Sequence, residues 1–402
     1  MAGRRWNCSS VLKSSRARVV LRRHILPYLC GVYDQDNKQT LPQTEPDASL
    51  KVDTIEIRNI RSLSLAELES LLAGWGEPRF RAKQLYEWMW SKAATDFDAM
   101  TNLSKNLRTR LKEQYGLFPL FEDKVQNSND GTIKTRWITH DGHRIESVLI
   151  PVPDDCRFTV CVSTQVGCSL TCKFCATGRM GRKRNLQASE IFDQVVLVDR
   201  QSRETFNHGL TNVVYMGMGE PLLTYANTMK SIELLTTPAP AGLGMSTRRI
   251  TVSTAGIAKM IRKLADDGFK SNLALSLHAA DDAKRNEIMP INESNNLSTL
   301  MEALEYLYAK TRNRISYEYI AFQNFNDSLE DAARLVQLCR RNFPVRLNII
   351  EYNPIDGSTF TKSGEDRLNA FAAYLADKGV TVTVRRSRGK DIDAACGQLA
   401  NK

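Results

Sequence analysis

The sequence predicts an α/β protein: a partial (β/α)6 barrel preceded by a small helical domain. Three observations carry that expectation. From about residue 130 onward, six apolar, β-rich runs alternate with six helix-like stretches, the signature of parallel β-α repeats. A separate block at 63–115 shows helical periodicity and capping signals instead. Three cysteines, Cys168, Cys172 and Cys175, directly follow the first of the six runs, where a barrel presents its chemistry.

The helical block opens on Ser64-Leu-Ala-Glu67, a capping-box pattern before Leu68, Leu71 and Leu72. A second helix fits Arg81 to Trp90, with Leu85, Trp88 and Met89 at helical spacing, read as core. A third fits Asn102 to Gln114, with Lys105, Arg108, Arg110 and Lys112 on its exposed side. Such a face suits RNA, although a solvated surface is its commoner meaning. The expected strands are Thr159–Val162, Asn212–Met216, Arg249–Val252, Leu273–Leu277, Ile315–Ile320 and Leu347–Glu351. The expected helices lie near 188–201, 225–236, 256–267, 298–311, 329–341 and 365–378. The resulting division is 1–50 as basic leader and polar linker, 51–120 as helical accessory domain, and 121–402 as barrel with a C-terminal cysteine loop.

Composition sets the class. With 42% hydrophobic and 25% charged residues in a 402-residue chain, a sizeable core is available. No stretch approaches the ~20 apolar residues of a membrane span. The nine cysteines are clustered, unlike a secreted disulfide framework, so a reducing compartment is expected. The net charge is +10, but residues 1–33, with six Arg, one Lys and no acid, carry seven of those charges. The body is therefore nearly balanced, and any nucleic-acid affinity must come from local patches. The leader reads as a disordered basic tail, with an organelle transit peptide as the alternative. A cytoplasmic location is expected, or an organelle if the alternative holds.

Cys168, Cys172 and Cys175 have C-x3-C-x2-C spacing, one ligand short of a closed four-thiolate site. Zinc usually takes two cysteine pairs, or a Cys pair with a His pair. Here only five His exist and no second pair follows. A ferredoxin run supplies a nearby fourth cysteine, and none occurs before Cys339. The spacing therefore favours an iron–sulfur cube with one open iron over zinc, and zinc over inert thiols.

The remaining motifs are weaker by themselves. Met216-Gly-Met-Gly219-Glu220-Pro221 after a strand reads as a tight loop where glycines permit close approach to a ligand. Its Glu220 can accept hydrogen bonds from an ammonium. Cys161 reads as a buried strand cysteine. Cys396, after the basic segment Arg385-Arg-Ser-Arg-Gly-Lys-Asp, reads as a surface thiol, whose pKa nearby cations would lower. Glu146 reads as a carboxylate on an exposed strand edge. Cys8, Cys30, Cys156 and Cys339 read as structural or incidental. Arg179, Arg182, Lys183 and Arg184, with Arg385, Arg386, Arg388 and Lys390, are placed to frame the site in positive charge for a phosphate backbone.

Together these residues resemble the radical S-adenosylmethionine (SAM) superfamily, and within it the RlmN/Cfr-type RNA methyltransferases. The resemblance runs from about Arg61 to Gln398. It includes Gly76-Glu-Pro-Arg-Phe-Arg81-Ala-Lys-Gln84, Cys161-Val-Ser-Thr-Gln-Val-Gly-Cys168, the Gly-Met-Gly-Glu220-Pro loop, Ser276-Leu-His278-Ala, Tyr352-Asn353-Pro354 and Ala395-Cys396-Gly-Gln398. The cysteine triad alone is moderately specific. With Cys161 upstream and Cys396 near the terminus it is highly specific. Residues 1–50 lie outside it.

The resemblance implies a radical-SAM barrel. It implies a [4Fe–4S] cluster on Cys168, Cys172 and Cys175, with SAM on the fourth iron. Gly219, Glu220, Ser253, Ser276, Leu277, His278 and Asn353 would contact SAM. Two SAM molecules serve each turnover: one methylates Cys396, and the 5′-deoxyadenosyl radical from the other takes a hydrogen from that methyl group. The carbon radical adds to an adenine ring, which is too weak a nucleophile to attack SAM itself. Glu146 would remove the ring proton as general base. Cys161 would release the product through a transient disulfide with Cys396. The target base must leave its stack to be reached. The implied activity is methylation of adenine carbon 2 in large-subunit ribosomal RNA and transfer RNA. Methylation of carbon 8, as in Cfr, is the near alternative. A radical enzyme acting on a protein or small molecule, or a non-enzymatic RNA-binding or electron-transfer module, is the distant one. Implied partners are RNA and an electron donor such as flavodoxin or ferredoxin, with no membrane and a monomeric chain.

Overall fold

A computed structural model describes residues 57–402, so the expectations for 1–50, and for Cys8 and Cys30 within them, lie outside the described residues. Three helices come first: α1 (Leu65–Gly74), α2 (Phe80–Trp90) and α3 (Lys105–Gln114). The expected capping box is present: the Glu67 N–H donates to Ser64 Oγ, and Glu67 accepts from the Ser64 N–H at 2.7 Å. The third helix starts later than its periodicity suggests because Ser104 is its N-cap, accepting from the Leu107 N–H. Asn102 instead takes hydrogen bonds from the Trp88 indole and the Arg81 guanidinium.

These helices pack on the rest of the chain rather than standing apart. Buried Arg61 makes two hydrogen bonds to Asp193, at 2.6 and 2.8 Å, and stacks over Trp90. Trp90 in turn meets Phe192 edge-on, with ring centroids 5.2 Å apart. Arg58–Lys402 forms one unit.

The centre is a ten-stranded sheet whose spatial order follows chain order. Three antiparallel strands lead: β1 (Phe121–Asn127), β2 (Ile133–Ile138) and β3 (Arg144–Val152). β3 pairs antiparallel with β4 (Arg157–Cys161). From β4 onward all neighbours are parallel: β5 (Asn212–Tyr215), β6 (Ile250–Thr254), β7 (Asn272–Ser276), β8 (Ile315–Ala321), β9 (Val345–Glu351) and β10 (Thr381–Arg385). All six expected strands are present. The expected helices appear as α4 (Ala188–Phe206), α5 (Tyr225–Thr236), α6 (Ala258–Asp266), α8 (Leu297–Thr311), α9 (Leu329–Cys339) and α10 (Glu365–Asp377). A short α7 (Asp282–Ile288) was not expected.

The parallel layer has seven strands, one more than the apolar runs indicate. The extra strand, β10, alternates Thr381, Thr383 and Arg385 with two half-buried valines. An edge strand wetted on one side lacks the continuous apolar run of a buried one.

The sheet curls around a lumen of about 960 Å³, lined from Ile150 and Val152 on β3 round to Val384 and Arg385 on β10. Thr159, Thr251, Asn272, Ser316, Asn348 and Thr383 face it. Such side chains make a wet interior in place of packed apolar layers. The sheet itself does not close. Residues 388–402 cover the gap between β10 and the antiparallel strands: Gly389 N–H donates to Asp130, Asp391 accepts from Ser128, and Arg136 donates to the Asn401 carbonyl.

Candidate active site

The strand ends bring the expected residues to one end of the lumen. Cys161 ends β4, Ser253 lies on β6, Ser276 ends β7, and Gly219, Glu220 and Asn353 follow β5 and β9. The Ser253 and Ser276 hydroxyls are 3.3 Å apart. Gly219 has φ +100°, and a β-carbon there would lie 2.6 Å from the Gln165 side chain. Only glycine fits without displacing Gln165, and Gln165 accepts from the Glu220 N–H at 2.9 Å.

Glu220 is buried, and its carboxylate accepts from the N–H groups of Leu222 and Ala255, at 3.0 and 2.8 Å. No cation pairs with it among the described residues. Burial raises its pKa against those hydrogen bonds. A buried carboxylate without a counterion is unfavourable, and such a group suits a cationic ligand. His278 sits in a left-handed conformation, with Nδ1 accepting from the Ile320 N–H at 3.1 Å. Burial, with Arg285 nearby, takes its pKa down to about 3, so the ring is neutral and Nε2 carries the proton. Leu277 is fully buried and offers only backbone; its N–H donates to the Glu318 carbonyl. The Asn353 amide donates to Ser387 Oγ at 2.9 Å.

Cys168, Cys172 and Cys175 lie on one loop, and all three are free thiols. Burial pushes Cys168 up to about 11 and Cys172 higher still, so a cationic centre must bind before they ionise. Among the described residues no three His, Cys, Asp or Glu side chains close on a single point as around one ion; a cube attaches each thiolate to a different iron. The donor set and the uncompensated Glu220 beside it fit the cluster and SAM.

Cys396 is brought onto that loop. The Ala176 N–H donates to the Gly397 carbonyl at 2.7 Å, and the Thr177 hydroxyl donates to Leu399 O at 2.6 Å. Gly397 has φ +84°, and its missing side chain leaves room for the Phe174 carbonyl. Cys396, Cys161 and Cys175 line the same lumen. Cys396 is exposed, whereas Cys161 is buried. Burial, with Cys396 beside it, takes Cys161 up to about 12. The two thiols are not joined; no disulfide exists among the described residues.

Glu146 is not on an exposed edge. It is fully buried in β3, which is flanked by β2 and β4. One oxygen accepts from the N–H groups of Ala400 and Asn401, at 3.0 and 3.1 Å, and the other lies 3.4 Å from Lys134 Nζ. It therefore touches the tail that follows Cys396.

The expected basic residues stay largely exposed, but most of them have partners within the chain. Arg184 is held by Asp141 and Glu190, and Arg179 donates to the Asp356, Gly357 and Lys173 carbonyls. Arg386 and Lys390 both grip Glu351, Arg385 approaches Glu318, and Arg388 reaches the Asp130 carbonyl. Arg182 and Lys183 stay exposed with no carboxylate partner among the described residues. The acids Glu318 and Glu351 gave no warning in the sequence: Glu318 lies in the middle of one strand run and Glu351 ends another, and neither position announces a partner. Buried Arg285 was equally silent among the charges of 281–287.

Comparison with known proteins agrees with this geometry. Residues 58–116 match the family described as ribosomal RNA large subunit methyltransferase N-terminal domain, and 162–336 match the radical SAM superfamily. A probable dual-specificity RNA methyltransferase RlmN from Cytophaga hutchinsonii is 52% identical, over 88% of this chain and 96% of its own. The dual-specificity RNA methyltransferase RlmN 2 of Myxococcus xanthus is 43% identical over 90% of this chain and 95% of its own. The crystal structure of a radical SAM methyltransferase from Sphaerobacter thermophilus superimposes with a TM-score of 0.80 at 42% identity, covering 86% of this chain and all of that one. The chain belongs to the RlmN family of RNA methyltransferases, within the radical SAM superfamily.

Proposed function

We propose that the protein methylates carbon 2 of adenine in large-subunit ribosomal RNA and in transfer RNA, with Cys396 as the methyl carrier. The observation that carries this reading is the docking of the Cys396 loop on the Cys168–Cys175 loop, with Cys161 in the same lumen. The relatives' dual-specificity name supports both RNA classes.

When bound, the [4Fe–4S] cluster and SAM supply a methyl group and a 5′-deoxyadenosyl radical. Cys168, Cys172 and Cys175 hold the cluster. Gly219, Glu220, Ser253, Ser276, Leu277, His278 and Asn353 hold SAM, Glu220 through its ammonium. The Cys396 thiolate would attack the methyl carbon of one SAM, with S-adenosylhomocysteine leaving, and the S-methyl group would then give a hydrogen atom to the 5′-deoxyadenosyl radical and bond to the base. Glu146 accepts the ring proton, which requires its contact with Ala400 and Asn401 to loosen. Cys161 attacks the Cys396 sulfur and releases the base. Two SAM molecules are therefore consumed in each turnover. The helical residues 58–116 contribute RNA contacts, and Arg182 and Lys183 offer free charge to the phosphates. The reading includes a monomer in the cytoplasm, served by an electron donor of the flavodoxin or ferredoxin class.

The test is anaerobic incubation of the reconstituted enzyme with SAM, reductant and either RNA, followed by nucleoside mass spectrometry. Formation of 2-methyladenosine with 5′-deoxyadenosine is expected on both RNAs. Formation of 8-methyladenosine alone, or 5′-deoxyadenosine with an unmodified RNA, overturns the reading.

A further inference from the structure

Arg285 is a charge without a partner. It lies on α7, fully buried, and forms no ion pair among the described residues. Its donors go to neutral acceptors: the Leu277 carbonyl (3.0 Å), the Ser276 and Ala255 carbonyls (3.1 and 2.6 Å) and the Asn292 amide oxygen (2.5 Å). A buried ion left unpaired is strongly destabilising, and neutral hydrogen-bond acceptors do not balance its charge; Asp282, which accepts from Asn292, acts on it only from a distance.

Its surroundings indicate what balances it. Ala255, Ala279, Ile288 and Met289 pack in one apolar cluster with Cys172 and Cys175. The Lys173 N–H, between those cysteines, donates to the carbonyl of Ile288, one turn along the helix from Arg285. The guanidinium thus sits under the cysteine loop, with apolar packing between them. Three thiolates outweigh the positive core of a cube, so the assembly is anionic and gains a further negative charge on reduction.

We propose that Arg285 is a positioning residue that sets the reduction potential of the cluster, its fixed buried charge favouring the reduced state while its hydrogen bonds fix the SAM-binding ends of β6 and β7. The electron comes from an external one-electron donor and rests on the cluster until SAM takes it; no bond of Arg285 changes. Net charge and low dielectric around a cluster are established levers on its potential. This inference rests on the three-cysteine cluster of the proposed function.

The test is potentiometric titration of the reconstituted full chain, followed by electron paramagnetic resonance. Arg285→Gln should make reduction at least tenfold less favourable, about 59 mV for one electron, whereas Arg285→Lys, which keeps the charge, should stay near the wild type. A potential unchanged in Arg285→Gln, or lowered equally in Arg285→Lys, overturns the proposal. Should Arg285→Gln fail to fold, the exchange Asp282→Asn with Asn292→Asp decides. It moves a carboxylate into contact with the guanidinium at constant net charge, and a lowered potential supports the proposal while an unchanged one overturns it. Failure of the underlying reading looks different: iron and sulfide would not bind the wild type, or would bind equally after Cys172→Ser.

Discussion

Glu220 and Arg285 grip opposite ends of one residue: the Ala255 N–H donates to the Glu220 carboxylate at 2.8 Å, and Arg285 donates to the Ala255 carbonyl at 2.6 Å. Both are buried, and neither has an ion partner among the described residues. Residue Ala255 is thus held between two opposite charges. Glu220→Gln keeps the size but removes the charge. Hydrogen bonds to charged groups contribute about 1.5–3 kcal/mol, so SAM affinity should fall roughly 10- to 100-fold. Equilibrium dialysis with labelled SAM measures this, and unchanged affinity would remove Glu220 from the site.

Gly219 faces the same loop from the other side. Gly219→Ala must bear a positive φ and a close contact with Gln165, at a cost of about 1–3 kcal/mol. SAM affinity should drop through the displaced Glu220 N–H, while the reconstituted cluster's absorption stays. Wild-type affinity in the alanine variant would show that the loop tolerates the side chain.

Arg61 and Asp193 fasten the N-terminal helices to α4 through a buried bidentate pair. Arg61→Met leaves Asp193 buried and unpaired, which costs about 3–5 kcal/mol. Denaturant unfolding should register the loss, and adding Asp193→Leu should recover much of it. No recovery would place the effect in lost packing against Trp90.

Much of this was legible beforehand, and the failures share a cause. The βα alternation fixed six strands because parallel strands buried on both faces read as apolar runs. Gly219, Glu220 and the cysteine triad were visible because spacing and glycine carry local geometry. Cys161 and Cys396 were visible only through family resemblance, since nothing local distinguishes a reactive thiol from a buried or exposed one. Arg285, Glu318 and Glu351 were invisible because their meaning lies in distant partners. The partners of the run Arg385–Lys390 were hidden for the same reason: the acids it meets come from β8 and β9 and the turn after β1.

Glu351 turns that pairing into a pH prediction. Burial alone would raise its carboxyl, but Lys390, Arg386 and Lys362 outweigh it and bring it down to about 2. A depressed carboxyl stabilises the fold above its unfolded pKa, near 4.3, and that stability is lost as pH falls through about 2. Glu351→Gln should therefore lower Tm at neutral pH, and the gap to wild type should close between about pH 4.3 and 2. Hydrogen exchange should also quicken across 386–398, the segment carrying Cys396. A gap independent of pH would mean that the charge is not what holds this segment.

The most direct test follows the methyl group itself. With SAM carrying a trideuterated methyl, passage through Cys396 requires that one deuterium be removed before the carbon reaches the base. The methylated adenine should then carry a CD2H group, with the missing deuterium in 5′-deoxyadenosine, and Cys396→Ala should yield neither product. An intact CD3 group on the base would show direct transfer from SAM and contradict the role of Cys396.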